Sequence, residues 1–162
     1  MGDCIYVFND IKQLNSTVLK EEMVVQQYLD SPLLLDGLKF DLRLYVVVTG
    51  INEGEVHAFL ADEGLARFCT KPYQKPTKSN FKDYYMHLTN YSVNKGSDTF
   101  IKDTDVEDIM DINNASKRTL SAIFRQIERD YGKENPQVLQ TIKENIEDTI
   151  SKSLALLVNK IQ

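Results

Sequence analysis

Asp36 to Arg43 reads Asp-Gly-Leu-Lys-Phe-Asp-Leu-Arg, which sets three ionisable groups at strict alternation in a segment with strand character. Side chains alternate faces along a strand, so Lys39, Asp41 and Arg43 share one face while Phe40, Leu42 and Leu44 share the other. The run continues through Tyr45-Val46-Val47-Val48-Thr49, which is β-rich, and turns near Gly50. Ionised groups on a buried face are costly unless they are paired or meet a charged ligand. Two readings therefore stand at this point. One is an ion-pair ladder on a half-solvated strand; the other is a cationic site for an anion.

The neighbouring segments place this strand in a larger pattern. Upstream, Met23-Val24-Val25-Gln26-Gln27-Tyr28-Leu29 predicts a second short strand that ends at the turn signal Asp30-Ser31-Pro32. Downstream, Asn52-Glu53-Gly54-Glu55 reads as a hairpin loop into a third strand, Val56 to Leu60, which runs on to Gly64-Leu65-Ala66-Arg67-Phe68. Then comes Met86-His87-Leu88-Thr89-Asn90-Tyr91-Ser92-Val93-Asn94-Lys95. In this order and at these spacings, over roughly Gly2 to Leu157, the segments resemble the tubulin tyrosine ligase-like family of ATP-grasp ligases. Leu-Leu-Asp-Gly-x-Lys-Phe-Asp-Leu-Arg, Gly-Leu-Ala-Arg-Phe and His-Leu-Thr-Asn-Tyr-Ser are most similar to its glutamate-adding branch.

The resemblance implies an α+β, ATP-grasp-like fold, with an antiparallel-rich sheet and C-terminal helices, forming a single partial domain over residues 1–162. It implies an ATP-dependent ligase that requires magnesium and adds L-glutamate to glutamate residues of tubulin C-terminal tails. Gln26, Gln27, Tyr28 and Leu29 would form the hinge along the adenine edge, where main-chain donors and acceptors are displayed in line. Lys39 would contact the phosphates as a point charge, with Asp41 beside it, and Arg43 would orient a carboxylate or phosphate through its planar fork. Thr89 and Asn90 would serve the phosphate and ribose side. Arg67, Tyr91, Ser92 and Lys117 would hold the incoming amino acid, although Arg118 follows Lys117 where the family has tryptophan.

Each of these residues also has an ordinary structural reading. Gln26 and Gln27 can be strand decoration, and Asn90 and Ser92 can cap their own loop. His87 is read as a hydrogen-bonding residue that holds the loop before Thr89, and His57 as a strand residue, although both titrate near neutrality.

Composition sets the frame. With 42% apolar and 27% charged residues in 162, the chain has the profile of a soluble domain able to bury a core. No apolar run approaches a membrane span, and Cys4 and Cys69 lack metal-ligand spacing, so a cytoplasmic, reducing setting is expected. By the resemblance that setting is the cytoskeleton, including the cilium or basal body.

The net charge is −5, yet from Arg67 to Lys95 six basic residues face the single acid Asp83. Such asymmetry suits either a solvated lysine loop or an anionic partner, which the resemblance identifies as an acidic tubulin tail. Nucleic acid is disfavoured, since the chain has no basic helix, zinc motif or RNP signature. Residues 70–83, with Pro72 and Pro76 among the lysines, are expected to form a mobile basic loop.

The second half reads as helical. Asn9 is expected to cap a short helix through Leu14, and Ser116 to open a helix carrying Leu120, Ile123, Phe124 and Ile127 on one face up to Gly132. Asn135-Pro136 restarts a helix whose stripe, Leu139, Ile142, Ile146, Ile150, Leu154, Leu157 and Ile161, is expected to pack in the core.

By the same resemblance, Gly2-Asp3-Cys4-Ile5-Tyr6-Val7 is a strand after a phosphate-covering loop, and the chain is a central fragment. The family's acidic residue and Glu-x-Asn pair that hold magnesium have no match, so no metal ligands are expected in this chain. Two rival functions remain open: a non-catalytic fragment that only binds acidic tails, and a glycine- or tyrosine-adding relative.

Overall fold

The computed structural model describes residues 5–13, 22–52, 55–102 and 115–161, with side chains described as far as residue 156. It is a mixed α/β chain that divides into two compact units. One comprises residues up to Asp41 together with Arg67–Ser116; the other comprises Leu42–Ala66 and the segment from Lys117 onward. The strands are β1 (Leu34–Leu35), β2 (Leu38–Arg43), β3 (Val46–Asn52), β4 (Glu55–Leu60), β5 (Leu65–Phe68) and β6 (Lys117–Thr119). Hydrogen bonding orders four of them β1-β2-β5-β6, while β3 and β4 pair separately.

In the first unit, β1 and β2 form a tight antiparallel hairpin with Leu35 opposite Leu38. The two connecting residues, Asp36 and Gly37, have φ of 54° and 71°. Positive φ at both central positions is the signature of the turn whose twist matches that of paired strands, and Asp-Gly is its favoured dipeptide. The core holds Leu35, Phe68, Cys69, Phe81 and Met86, and Phe40 stacks on Phe68 with ring centroids 5.4 Å apart. Two short helices follow, α1 (Tyr84–His87) and α2 (Tyr91–Asn94).

Several local expectations are corrected here. Met23–Leu29 forms no strand, and neither do Ile5–Val7; Val24 is 91% exposed and Leu29 77%. A β-prone run becomes a strand only where a partner supplies the ladder. Near the start there is a single 3-10 turn, Ile11–Gln13. Its backbone is capped by Asp10, whose Oδ1 accepts from Lys12 N (2.9 Å), while Asn9 Oδ1 takes only the Gln13 side chain (2.8 Å). Gly2, Cys4, Leu14 and the hairpin tip at Glu53-Gly54 lie outside the described residues.

In the second unit, β3 and β4 pair antiparallel, with Thr49 bulged out between the pairs Val48–Ala58 and Gly50–His57. Thr49 Oγ1 donates back across the hairpin to His57 O (3.2 Å). Helix α3 (Leu120–Tyr131) buries Leu120, Ile123 and Ile127 and ends at Gly132. It does not open at Ser116. Residues 117–119 are strand, and Thr119 caps the helix by accepting from Ala122 N (3.3 Å). Ser116 is committed elsewhere, with its carbonyl accepting from Phe68 N (2.9 Å) and its hydroxyl from Ile101 N (3.1 Å). Glu63 adds a second cap to α3, accepting from Ser121 N at 2.9 Å.

Helix α4 (Val138–Ile161) starts after Asn135-Pro136, with Asn135 Oδ1 accepting from Gln137 N (3.2 Å). Its stripe is not core. Leu139, Ile142, Ile146, Ile150 and Leu154 are each only half-buried, and the side chains of Leu157 and Ile161 fall outside the described set. Among the described residues no helix is long and apolar enough to cross a membrane.

Gly64 is held by its surroundings. A Cβ there would stand 2.7 Å from Arg43 O and 3.3 Å from Leu44 Cδ2, and its own carbonyl accepts from Leu120 N (3.0 Å). Because the nearest obstacle is backbone, Gly64→Ala is expected to cost about 1–3 kcal/mol. Urea melts of the two chains measure it, and an unchanged midpoint would show that the strand can yield.

Candidate functional site

A cleft of about 1350 Å³ opens in the first unit. Its lining includes Tyr6 and Phe8, the run Gln26–Leu29, and Lys39 with Phe40 on β2. Gln26–Leu29 belongs to no helix or strand, and its main-chain donors and acceptors make no hydrogen bonds to other described residues. Backbone groups in that state need water or a ligand.

Lys39 projects into a prepared environment. Its Nζ donates to Tyr28 Oη (3.1 Å) and to the His87 carbonyl (3.0 Å), and it lies 4.2 Å from the centroid of the Tyr28 ring. An ammonium has three donors, so one remains for a ligand. Burial lowers the lysine below its ordinary value, which Asp41 and Cys69 partly offset. Burial also raises the Tyr28 hydroxyl well above its usual range, with the Tyr73 hydroxyl second.

Behind Tyr28 sits His87, 1% exposed. Its Nδ1 is 3.1 Å from Tyr28 Oη and its Nε2 is 3.1 Å from the Asn80 carbonyl. Tyr28 and Tyr73 meet the imidazole edge-on, with centroids at 5.7 and 5.9 Å. The histidine thus holds the loop before Thr89, as the sequence reading has it. Tyr73 also ties residues 70–83 down, donating from its hydroxyl to Asp30 O (2.8 Å) and from its N–H to Gly37 O (2.9 Å).

Asp41 pairs neither with Lys39 nor with Arg43 but across to β5. Arg67 Nε donates to its Oδ1 (3.0 Å) and a guanidinium NH₂ to its Oδ2 (2.5 Å). Such a two-pronged pair fixes both planes. Thr89 and Asn90 follow Leu88, which lines the cleft, and are half-buried. Asn90 is the N-cap of α2, yet its side chain makes no cap hydrogen bond. Tyr91 turns to Phe100 (5.6 Å between centroids), and Ser92 is half-buried. The cleft draws its lining wholly from the first unit. Arg43, exposed at the end of β2, and Lys117, half-buried in β6, belong to the second. His57 is an exposed residue of β4.

One organising residue escaped the sequence reading. Asn94, 1% exposed, accepts at Oδ1 from Thr70 N (3.1 Å) and Thr70 Oγ1 (3.0 Å). Its Nδ2 donates to Leu88 O (2.6 Å) and Asn90 O (3.1 Å). The main chain on both sides of Thr89 is held by this one amide. The only signal in the sequence was an Asn-x-x-x-Asn spacing, which is common on exposed helix faces. Cys69 is buried, and burial pushes its thiol up to about 12, so it is an inert packing group.

The histidine gives a pH prediction. Burial lowers His87 below its ordinary 6.5, against the opposing Asn80 carbonyl. On acidification the unfolded imidazole takes its proton near 6.5, and the folded one only at lower pH. The stability from this group is therefore complete above about 6.5 and is lost as pH falls through the folded value. Melting of the parent chain should fall more between pH 7.5 and 5 than that of His87→Asn. Parallel slopes would contradict it.

The model of the tubulin-tyrosine ligase family matches residues 1–160. The chain is 42% identical over 128 residues to tubulin polyglutamylase ttll-11 of Caenorhabditis elegans, covering 78% of this chain and 17% of that protein. It is 43% identical over 135 residues to tubulin polyglutamylase ttll6 of Danio rerio, covering 83% and 15%. To the human tubulin polyglutamylase TTLL6 it is 37% identical over 153 residues, covering 94% and 15%. The chain spans about a sixth of the length of these curated relatives.

Proposed function

Because the chain belongs to the tubulin-tyrosine ligase family, we propose that it carries the nucleotide- and amino-acid-handling part of an ATP-dependent ligase that joins glutamate to glutamate residues of tubulin tails. The observation that carries this reading is the cleft. One wall offers unused main-chain groups at Gln26–Leu29, and beside them Lys39 keeps an N–H to spare. Such a wall suits a planar base read through its edge, and such a cation suits a phosphate. The fold in this reading is of the ATP-grasp type.

The residues present fit ATP. When bound, ATP would supply the phosphoryl group that activates a carboxylate toward an amine. Tyr28 and Leu29 read the base through their main chain, with Gln26 and Gln27 along the same edge. Lys39 holds the phosphates and acts electrostatically in a partly dehydrated setting. Thr89 and Asn90 serve the phosphate and ribose side. Arg67, fixed in orientation by Asp41, Tyr91 and Ser92 take the glutamate.

Magnesium is the family's metal, yet among the described residues no three His, Cys, Asp or Glu side chains are grouped to hold an ion. Lys75, Lys78 and Lys82, with Lys71 paired to Asp83 at 2.8 Å, make residues 70–83 a basic element, anchored through Tyr73 rather than mobile, that draws an acidic tail by long-range field. The setting is the microtubule cytoskeleton, including the cilium.

The test is incubation of the chain with ATP, magnesium, an acidic tubulin-tail peptide and isotope-labelled glutamate, glycine or tyrosine in parallel, followed by mass spectrometry of the peptide, with binding of ATP and of the peptide followed by calorimetry. ATP-dependent addition of glutamate residues supports the reading. Addition of glycine or tyrosine in its place reassigns the branch. Tail binding without ATP binding would reduce the chain to a docking segment.

A further inference from the structure

We infer that His87, acting through the Tyr28 hydroxyl, is a positioning residue that aims the Lys39 ammonium into the cleft. The inference rests on the nucleotide reading above, and it follows from counting protons along one chain of contacts. Asn80 O can only accept, so His87 Nε2, 3.1 Å away, carries a hydrogen. Burial and the Lys39 charge disfavour a second proton on the ring, against the Asn80 carbonyl and Asp83. His87 Nδ1 is then bare and accepts.

The only hydrogen that can fill the 3.1 Å gap to Nδ1 is that of the Tyr28 hydroxyl. With its own proton committed to the histidine, Tyr28 Oη turns its lone pairs elsewhere, and one of them receives Lys39 Nζ at 3.1 Å. The contacts therefore run one way: Lys39 to Tyr28, Tyr28 to His87, His87 to Asn80. The Tyr73 hydroxyl, whose own proton goes to Asp30 O, also interacts with the Tyr28 hydroxyl, but His87 Nδ1 is the acceptor within hydrogen-bond distance of it. The same His87 residue also receives Lys39 Nζ on its carbonyl at 3.0 Å, so backbone and ring grip the ammonium together. Tyr73, edge-on to the imidazole, and the buried setting keep the ring from turning over.

The chain of contacts does two things for the lysine. It fixes two of three N–H vectors, so the third is aimed without a rotamer search when an anion enters. It also supplies a polarised acceptor for a cation that burial would otherwise disfavour. Neither effect needs His87 or the Tyr28 hydroxyl to touch the ligand.

Tyr28→Phe, His87→Gln and His87→Asn separate this role from fold maintenance. Gln places an amide N–H where Nε2 was and keeps the Asn80 contact, but leaves Tyr28 without its acceptor. Asn places an amide oxygen where Nδ1 was and keeps the Tyr28 contact, but loses Asn80. Calorimetric titration of ATP into each full chain is expected to show about tenfold weaker binding for Tyr28→Phe and His87→Gln, and a smaller loss for His87→Asn.

Melting should rank the histidine variants oppositely, with His87→Asn the less stable. ¹⁵N spectra of the parent should show His87 protonated at Nε2 alone. If Lys39→Met weakens ATP binding while Tyr28→Phe and His87→Gln bind like the parent, the positioning role is overturned and the nucleotide reading survives. If Lys39→Met also binds like the parent, both fall. Affinity losses that merely follow melting temperature across the three variants would assign His87 to fold maintenance alone and overturn the positioning role.

Discussion

On the ligase role proposed for this chain, Lys39→Met is expected to weaken the ATP-dependent reaction about 10²–10³-fold while leaving the chain folded. The size follows from what the ammonium does in its setting: it is a cation in a partly dehydrated cleft, already aimed by two acceptors. Loss of one such donor at a charged centre typically has that cost. The expectation of a stable fold follows from the same facts. Methionine keeps most of the stem's length, and the charge whose burial is unfavourable is removed. Tyr28 loses a donor but can still give its proton to His87. Labelled-glutamate addition at saturating ATP, calorimetric titration with ATP and a thermal melt of both chains measure rate, affinity and fold separately. An affinity equal to the parent's would remove Lys39 from the site.

Asn94→Ala is expected to destabilise the first unit by about 2–4 kcal/mol, a large share of a typical domain's stability. Four side-chain hydrogen bonds disappear from a site that is almost wholly closed to water. Their partners do not suffer equally. Asn90 O keeps the N–H groups of Val93 and Asn94, and Thr70 N keeps Tyr85 O at 3.1 Å. Leu88 O, by contrast, loses its 2.6 Å partner, and an orphaned acceptor there costs its desolvation. At roughly 2–4 °C per kcal/mol for a chain of this size, melting should fall by about 5–15 °C. Asn94→Asp sharpens the test, because it keeps the acceptor for Thr70 but sets a carboxylate oxygen against two carbonyls. An Asp variant as stable as the parent would show that the amide N–H groups contribute little.

Local patterns were legible where the physics is local. The alternation around Lys39 produced β2, the spacing of Leu120, Ile123 and Ile127 produced α3, and Asn135-Pro136 restarted a helix. Patterns that depend on a distant partner were not. Val24 and Val25 have strand propensity, but a strand exists only where another strand accepts it, and among the described residues none does. Asp41 had two same-strand cations within reach of a sequence argument, yet its partner is Arg67, 26 residues on. The three-residue strand at Lys117 is too short for any periodicity, so the cap appeared to fall at Ser116 rather than Thr119. Of the cleft lining, Lys39 and Gln26–Leu29 were named from the motifs, whereas the contacts of the Tyr28 hydroxyl with Lys39 and His87, and the buried Asn94, exist only in the folded chain.

The Asp36-Gly37 hairpin also has a bearing on the order in which this chain acquires its structure. Its ends are joined by two residues already disposed to turn, so it closes within about 1–10 μs of being available. The cradle of Lys39 is different: its carbonyl acceptor lies 48 residues further along, and the Tyr28–His87 contact spans 59. On a ribosome adding about 5–20 residues per second, some seconds separate the synthesis of the lysine from that of its acceptor. The scaffold of the cleft is early and local, whereas its charge is seated late. Slowing translation between the two should leave the hairpin intact and delay only the seating.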